Sequence, residues 1–356
     1  MRTRRAFLAG MLATGIIPRP GWADVGNPAY LSAARRPAGD FALLGLDRQG
    51  RAVFDLPLPA RGHAAAAHPT LPLAVAFARR PGRFAIVMDC LTKTIIARLE
   101  TPPHRHFYGH GAFSGDGRYL FTTENDFDAA RGMVGVWDSQ NDFRRVGEFP
   151  SGGVGPHDIR FLHDHQTLVV ANGGIETHPD TGRAKLNLPD MRPNLSYLTP
   201  DGALLDQFEP PGEWHMNSMR HLAVSAEGRV AVACQWQGDP VDVPPLLATH
   251  VPGGGLRFHR TGPERDMQGY VGSVAFSGGG EAIAFTGPRG GLAGRIDLGG
   301  RLQHTITAPD ICGVAPLAAG FVFTTGTGDV LADRKAHTER LSRHDCAWDN
   351  HLVPVG

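Results

Sequence analysis

Four histidines in this chain hold matching places in its sequence. His63 follows Gly62 and precedes four alanines, and His110 follows Gly109 and precedes Gly-Ala-Phe-Ser. His157 follows Pro156 and precedes Asp-Ile-Arg-Phe, and His221 follows Arg220 and precedes Leu-Ala-Val-Ser. Each run leads through a turn to a second apolar stretch, at residues 73–77, 119–123, 167–171 and 229–233. Neutral imidazole suits iron, copper, nickel and zinc. One histidine at a strand start is ordinarily a hydrogen-bonded structural residue. Four at one repeated position call for a shared explanation, a metal ion or an anionic ligand.

The elements that position them come from an internal repeat. Ala34-Arg35-Arg36-Pro37 followed by apolar stretches at 41–47 and 51–56 matches Ala78-Arg79-Arg80-Pro81 followed by 84–89 and 93–99. Units of four short strands begin at residues 63, 110, 157, 221, 273 and 312, with a one-strand fragment from about 346. The spacings of 47, 47, 64, 52, 39 and about 34 residues fit four-stranded propeller blades of roughly 40–50 residues. The first unit of the chain lacks an opening strand, and the last fragment supplies only one. Joined, they complete a seventh blade and leave no open sheet edge. The expected fold is an all-β, seven-bladed β-propeller over residues 24–356, closed by N- and C-terminal strands sharing one blade. A two-sheet sandwich would need a single non-repeating core and accommodates this length poorly.

In a propeller the first strand of each blade lines the central channel, so His63, His110, His157 and His221 converge at its mouth as candidate metal ligands. Bonds to nitrogen are only about 2 Å, and a seven-bladed channel is wide, so fewer than four are expected to bind one ion directly. The fifth blade offers Ser273 at that place, the sixth Cys312, and the seventh Asp349 or His351. His104 and His106 lie on a loop before a strand and reach towards the same mouth, whereas His163 and His165 flank a turn and read as solvated. Residues 172–187 form a long polar insertion in one blade, and such loops tend to carry function. Its Glu176, His178 and Arg183 supply charge, with Glu124, Asn125 and Asp126 placed to face it. The groups expected to orient the imidazoles or capture a ligand are His106, Glu124, Asp158, Asn172, His178, Arg183, Arg220, Tyr270, Asp349 and His351.

Composition excludes several alternatives. The 356 residues are 42% hydrophobic with 46 glycines and 28 prolines, a profile of many short strands and turns. A formal net charge of zero argues against nucleic acid or an acidic membrane surface as the main partner. No G-x-S-x-G elbow, H-E-x-x-H or phosphate-cradling loop occurs, which leaves catalysis without a motif. The pair Trp137-Asp138 is packing evidence, and 287–291 is a turn. Cys90 and Cys234 sit in apolar runs as small buried hydrophobes. An oxidising compartment would permit a Cys312–Cys346 disulfide. Arg4-Arg5-Ala6-Phe7-Leu8, an apolar stretch to residue 17 and the small-residue exit Gly21-Trp22-Ala23 read as a twin-arginine signal peptide over residues 1–23. The apolar stretch is too short for a stable membrane span. The mature protein is then expected to be periplasmic.

The stretches GHGAFSGDGRYLFTTEND, GPHDIRFL, VANGGIETHPDTGRAKLNLPDM, SMRHLAV, YVGSVAFS and WDNH resemble the twin-arginine-exported family called domain of unknown function 1513. The resemblance spans essentially the whole mature chain. It implies a periplasmic role in handling iron or another metal, beside imelysin-like and dihaem-cytochrome-like proteins of bacterial iron uptake, and it supplies no catalytic residues. The expected activity is therefore binding of a transition metal, iron or copper, for uptake or delivery. The alternatives are a metal-free interaction scaffold of an iron-uptake system and a metal-dependent oxidoreductase or hydrolase.

Overall fold

The computed structural model describes residues 20–80, 82–182, 184–334 and 337–355. The twin-arginine segment up to residue 19 and Arg183 lie outside the described residues. Six four-stranded antiparallel sheets and one five-stranded sheet make up the fold, a seven-bladed β-propeller. The innermost strands of blades one to six are Gly62–Ala67, Arg105–Phe113, Pro156–Phe161, Asn217–Val224, Ser273–Phe276 and Ile311–Leu317. In blade seven the C-terminal pieces Ala347–Trp348 and Val353–Pro354 both pair with Tyr30–Arg35, which continues outward through Phe41–Leu46 and Ala52–Leu58. The repeat beginning with Ala-Arg-Arg-Pro is thus the second-to-fourth-strand unit of blades seven and one, as the sequence predicts.

Hydrophobic patterning follows position in the blade. Second strands are covered on both faces and read as unbroken apolar runs, as in Leu168–Asn172 and Ala282–Gly287, all of whose residues are buried. Outermost strands such as Arg144–Pro150 are mostly exposed, with apolar side chains only on the face turned to a neighbour. Seven apolar clusters fill the seven gaps between adjacent blades. One joins Val75 and Val87 of blade one to Leu120 and Trp137 of blade two. Another joins Cys312 and Val322 of blade six to Leu44 and Trp348 of blade seven. Burying each Leu or Val of this kind contributes about 1.5–3 kcal/mol, so the ring is closed by the same force that holds any two blades together. Trp22, just ahead of the expected signal cleavage point, packs in the cluster between blades seven and one and donates its indole N–H to the His68 carbonyl at 2.8 Å. Among the described residues, no helix is long and apolar enough to cross a membrane.

Candidate metal centre in the channel

The innermost strands do not run in regular register where they carry histidine. In blade one, pairing steps from Gly62↔Ala78 to Ala65↔Ala76, three residues against two, with His63 inside the irregularity. In blade two it steps from Phe107↔Glu124 to Gly111↔Thr122, four against two, around His110. Single extra residues occur at 156–158 and 219–221, beside His157 and His221. Blade seven steps from Trp348↔Ala34 to Val353↔Leu31, five against three, and this gap holds Asp349, Asn350 and His351. A β-bulge bends its strand and re-aims side chains. Here five blades use one to bring an imidazole into the channel. Blade five keeps unbroken register from Ser273↔Thr286 to Phe276↔Ile283 and brings none.

The result is a cluster of five imidazoles, one more than the sequence argument assigned to metal. Ring centroids lie 4.5 Å apart for His63–His351, 4.7 Å for His110–His351, 5.0 Å for His63–His110, 4.7 Å for His221–His351 and 4.8 Å for His157–His221. Two sets of three each offer nitrogen atoms within 4.8 Å of one another: His63, His110 and His351, and His110, His157 and His221. His110 belongs to both. The Nε2 atoms of His63 and His351 are 3.3 Å apart. That is close to the edge, about 3.3 Å, of a tetrahedron of nitrogens around an ion with bonds of about 2.05 Å.

Two carboxylates orient the first set. Asp158 Oδ1 lies 3.2 Å from His110 Nδ1, and Asp349 Oδ1 lies 3.4 Å from His63 Nδ1. Burial pushes the Asp158 carboxyl up, but Arg160 and His110 more than offset this and hold it well below the usual range. Burial likewise opposes ionisation of Asp349, and its hydrogen bond to His63 with the charge of Arg79 and Arg61 overcomes it. Ionised carboxylates only accept hydrogen bonds, so Nδ1 carries the proton in both histidines and each Nε2 lone pair faces the cluster. This is the carboxylate–imidazole arrangement that fixes tautomer and raises ligand basicity in metal sites. His157 differs, because its Nδ1 accepts from Arg220 Nη1 at 3.2 Å and its proton therefore belongs on Nε2.

Burial drives His63, His157, His221 and His351 towards the neutral form a metal requires. It lowers His63 to about 4, against help from Asp349, and holds His157, His221 and His351 well below the ordinary value. Their mutual proximity adds to the effect. His110 Nε2 and both ring nitrogens of His221 are wholly buried without a hydrogen-bond partner. Buried polar atoms left unpaired cost free energy, and a shared cation is one physical remedy. The donors present fit a transition-metal ion.

The cluster lies within the channel rather than at its open mouth. His63 and His157 border a chamber of about 200 Å³ on one side, His351 borders a chamber of about 530 Å³ on the other, and His221 borders both. Of the remaining expected residues, Arg220, His106 and Tyr270 line the smaller chamber. His106 stacks on Tyr108 and sits within the innermost strand of blade two, which begins five residues earlier than the sequence indicates. The Tyr270 hydroxyl accepts from Asn350 Nδ2 at 3.0 Å and so braces the blade-seven bulge.

Three residues stand elsewhere. Glu124 is fully buried in a two-pronged ion pair with Arg145 at 2.7 and 2.9 Å. It points between strands of its own blade and away from the insertion, because a carboxylate at that depth needs a guanidinium partner. Asn172 is also fully buried, bonded to Ser151, Asn194 and Ser196, and fastens the strands of blade three. His178 lies 3.3 Å from Asp128 and edge-on to Phe127, apart from the cluster. Its loop nevertheless walls the smaller chamber through Ile175, Thr177 and Lys185, tied to blade two by Asn125 Nδ2 donating to the Thr177 carbonyl at 3.1 Å. His104 pairs with Asp128 at the surface, and His163 and His165 are exposed.

The four cysteines are free thiols. Cys312 Sγ lies 3.4 Å from the Asp349 carbonyl oxygen and 3.6 Å from that of Trp348, so the thiol supports the blade-seven bulge in place of a disulfide with Cys346. Arg79, which the sequence presents only as part of a repeat, grips Asp349 at 2.9 and 3.0 Å. Its counterpart in blade seven, Arg35, has no such role, and a charged residue ending a second strand beside the channel was the available signal.

A family model described as "Protein of unknown function (DUF1513)" matches residues 56–355. Among curated proteins, none matches the chain. A solved structure titled "Kuenenia stuttgartiensis Hydrazine Synthase" is similar in fold at a TM-score of 0.61 and 12% sequence identity, over 93% of this chain and 98% of that one. At that identity the likeness is one of fold.

Proposed function

We propose that this chain, which belongs to the DUF1513 family, is a metal-binding propeller that holds one transition-metal ion, iron or copper, on His63, His110 and His351. The observation that carries the reading is the carboxylate-oriented pair His63 and His110, whose Nε2 lone pairs meet His351 inside the channel. His221 stands next to the set as a further imidazole, and Arg220 ties up the Nδ1 atom of His157. Asp158 and Asp349, themselves neutralised by Arg160 and by Arg79 with Arg61, orient His110 and His63. The twin-arginine pattern and the family resemblance support export by that route and a role in metal uptake or delivery, with imelysin-like and dihaem-cytochrome-like proteins as the proposed partners.

The experiment is elemental analysis of natively exported protein beside the His110→Ala variant, since His110 belongs to both three-histidine sets. Near-stoichiometric iron or copper in the wild type and its loss in the variant are the expected results. Absence of metal from the wild type, or undiminished metal in the variant, would reject the reading and favour a metal-free scaffold.

A further inference from the structure

The smaller chamber has a character that metal binding alone leaves unexplained. Arg79, Arg80, Lys185 and Arg220 all border it, and no aspartate or glutamate does. Arg79 is matched by Asp349. Arg220 has no carboxylate within ion-pair distance among the described residues. Its Nη1 bonds to the neutral His157, and its Nε–H is shut from bulk water without an acceptor. A half-buried guanidinium lacking a counter-charge is costly, and the planar fork of arginine is the side chain best matched to a carboxylate or phosphate group. Burial depresses both Arg220 and Lys185 from their ordinary values, with Arg220 adding to the effect at Lys185, as expected of cations gathered close together.

We infer that this chamber is a binding site for a small oxyanion, a compact carboxylate or phosphate, seated on Arg220 with Lys185 as a second cation of its lining. A volume of about 200 Å³ gives room for such an anion and lies below the usual 300–1,000 Å³ of sites for drug-sized ligands. Tyr108, Tyr270 and Gln235 add hydrogen-bonding groups to the walls. Lys185 reaches the chamber from the 172–187 insertion, where its Nζ bonds to Gln237 Oε1. The insertion therefore acquires a use as the cover of an anion site. The inference stands on the cations alone and does not require an ion on the histidines.

The test is isothermal titration calorimetry of chelator-stripped protein with inorganic phosphate and, separately, with malonate, at fixed ionic strength. One site per chain is expected for at least one of these probes, weakened at least tenfold by Arg220→Gln and less by Arg220→Lys, which keeps charge and loses the fork. Lys185→Gln, on a partly exposed loop residue, serves if Arg220→Gln does not fold, with an expected weakening of about threefold. The two probes distinguish a phosphate-type from a carboxylate-type ligand. No binding of either anion to the wild type, or unchanged affinity in folded Arg220→Gln or Lys185→Gln protein, would overturn the inference. Anion binding by metal-free protein would stand even if the histidines proved to hold no ion.

Discussion

Acid should weaken the metal-free protein through the same desolvation that prepares its histidines for a metal. His63 titrates near 4 in the fold and near 6.5 in an unfolded chain. Between those values the unfolded state binds more protons, so stability falls as pH falls through about 6.5 towards 4 and is recovered above 6.5. For this one group, linkage gives a loss of about 2 kcal/mol between pH 7 and pH 5. His157, His221 and His351 are depressed too and act with the same sign, so the figure is a floor. Asp158 and Asp349, held below the ordinary carboxylate range, contribute stability that is lost only as pH falls below about 4, outside this window. Guanidinium denaturation of chelator-treated wild type and His63→Gln at both pH values isolates the contribution of His63. The wild type should lose at least about 2 kcal/mol, and the variant should lose about 2 kcal/mol less, because other buried histidines such as His68 and His250 remain in both. A wild-type stability that is flat from pH 7 to pH 5, or the same pH slope in both proteins, would refute the reasoning.

Two substitutions separate scaffold from site. Glu124→Gln should cost about 1–3 kcal/mol by leaving the half-buried Arg145 with Glu148 as its remaining carboxylate partner, while metal content stays unchanged; a loss of metal in folded variant would return Glu124 to the site. Gly109→Ala should do the reverse. Its φ of +102° disfavours any side chain, and a Cβ there would stand 2.8 Å from His63 Cδ2. A penalty of about 1–3 kcal/mol should accompany weakened metal retention, read by denaturation and elemental analysis, and full retention would show that His63 is not held by that contact.

The ring itself was legible because it repeats. Strand-turn-strand units at near-constant spacing, and an Ala-Arg-Arg-Pro copy that begins one strand late, contain the closure of blade seven. The four histidines were legible for the same reason, since each precedes an equivalent apolar strand. Their partners were legible in part: Asp158, Arg220, Asp349 and His351 were expected beside them. But a bulge adds residues without any fixed sequence mark, so nothing in Trp-Asp-Asn-His revealed that two extra residues would lift His351 itself into contact with His63. Blade five, without a bulge, carries serine at the same place. Glu124 and Asn172 misled because polar residues at strand ends resemble site residues, and only the arrangement of Arg145, Ser151 and Asn194 around them shows that they fasten strands. Arg79 was hidden within the repeat, whose other copy carries Arg35 at that position without such a role, while the next residue, Arg36, pairs with Asp40 and Asp55.

X-ray absorption at the edge of the bound metal tests the central claim most directly, on wild type, His351→Ala and His157→Ala. Three imidazole nitrogens at about 2.0–2.1 Å, reduced by one in His351→Ala and unchanged in His157→Ala, are the predicted result. A shell without imidazole scattering, or one that loses a nitrogen in His157→Ala and none in His351→Ala, would contradict it.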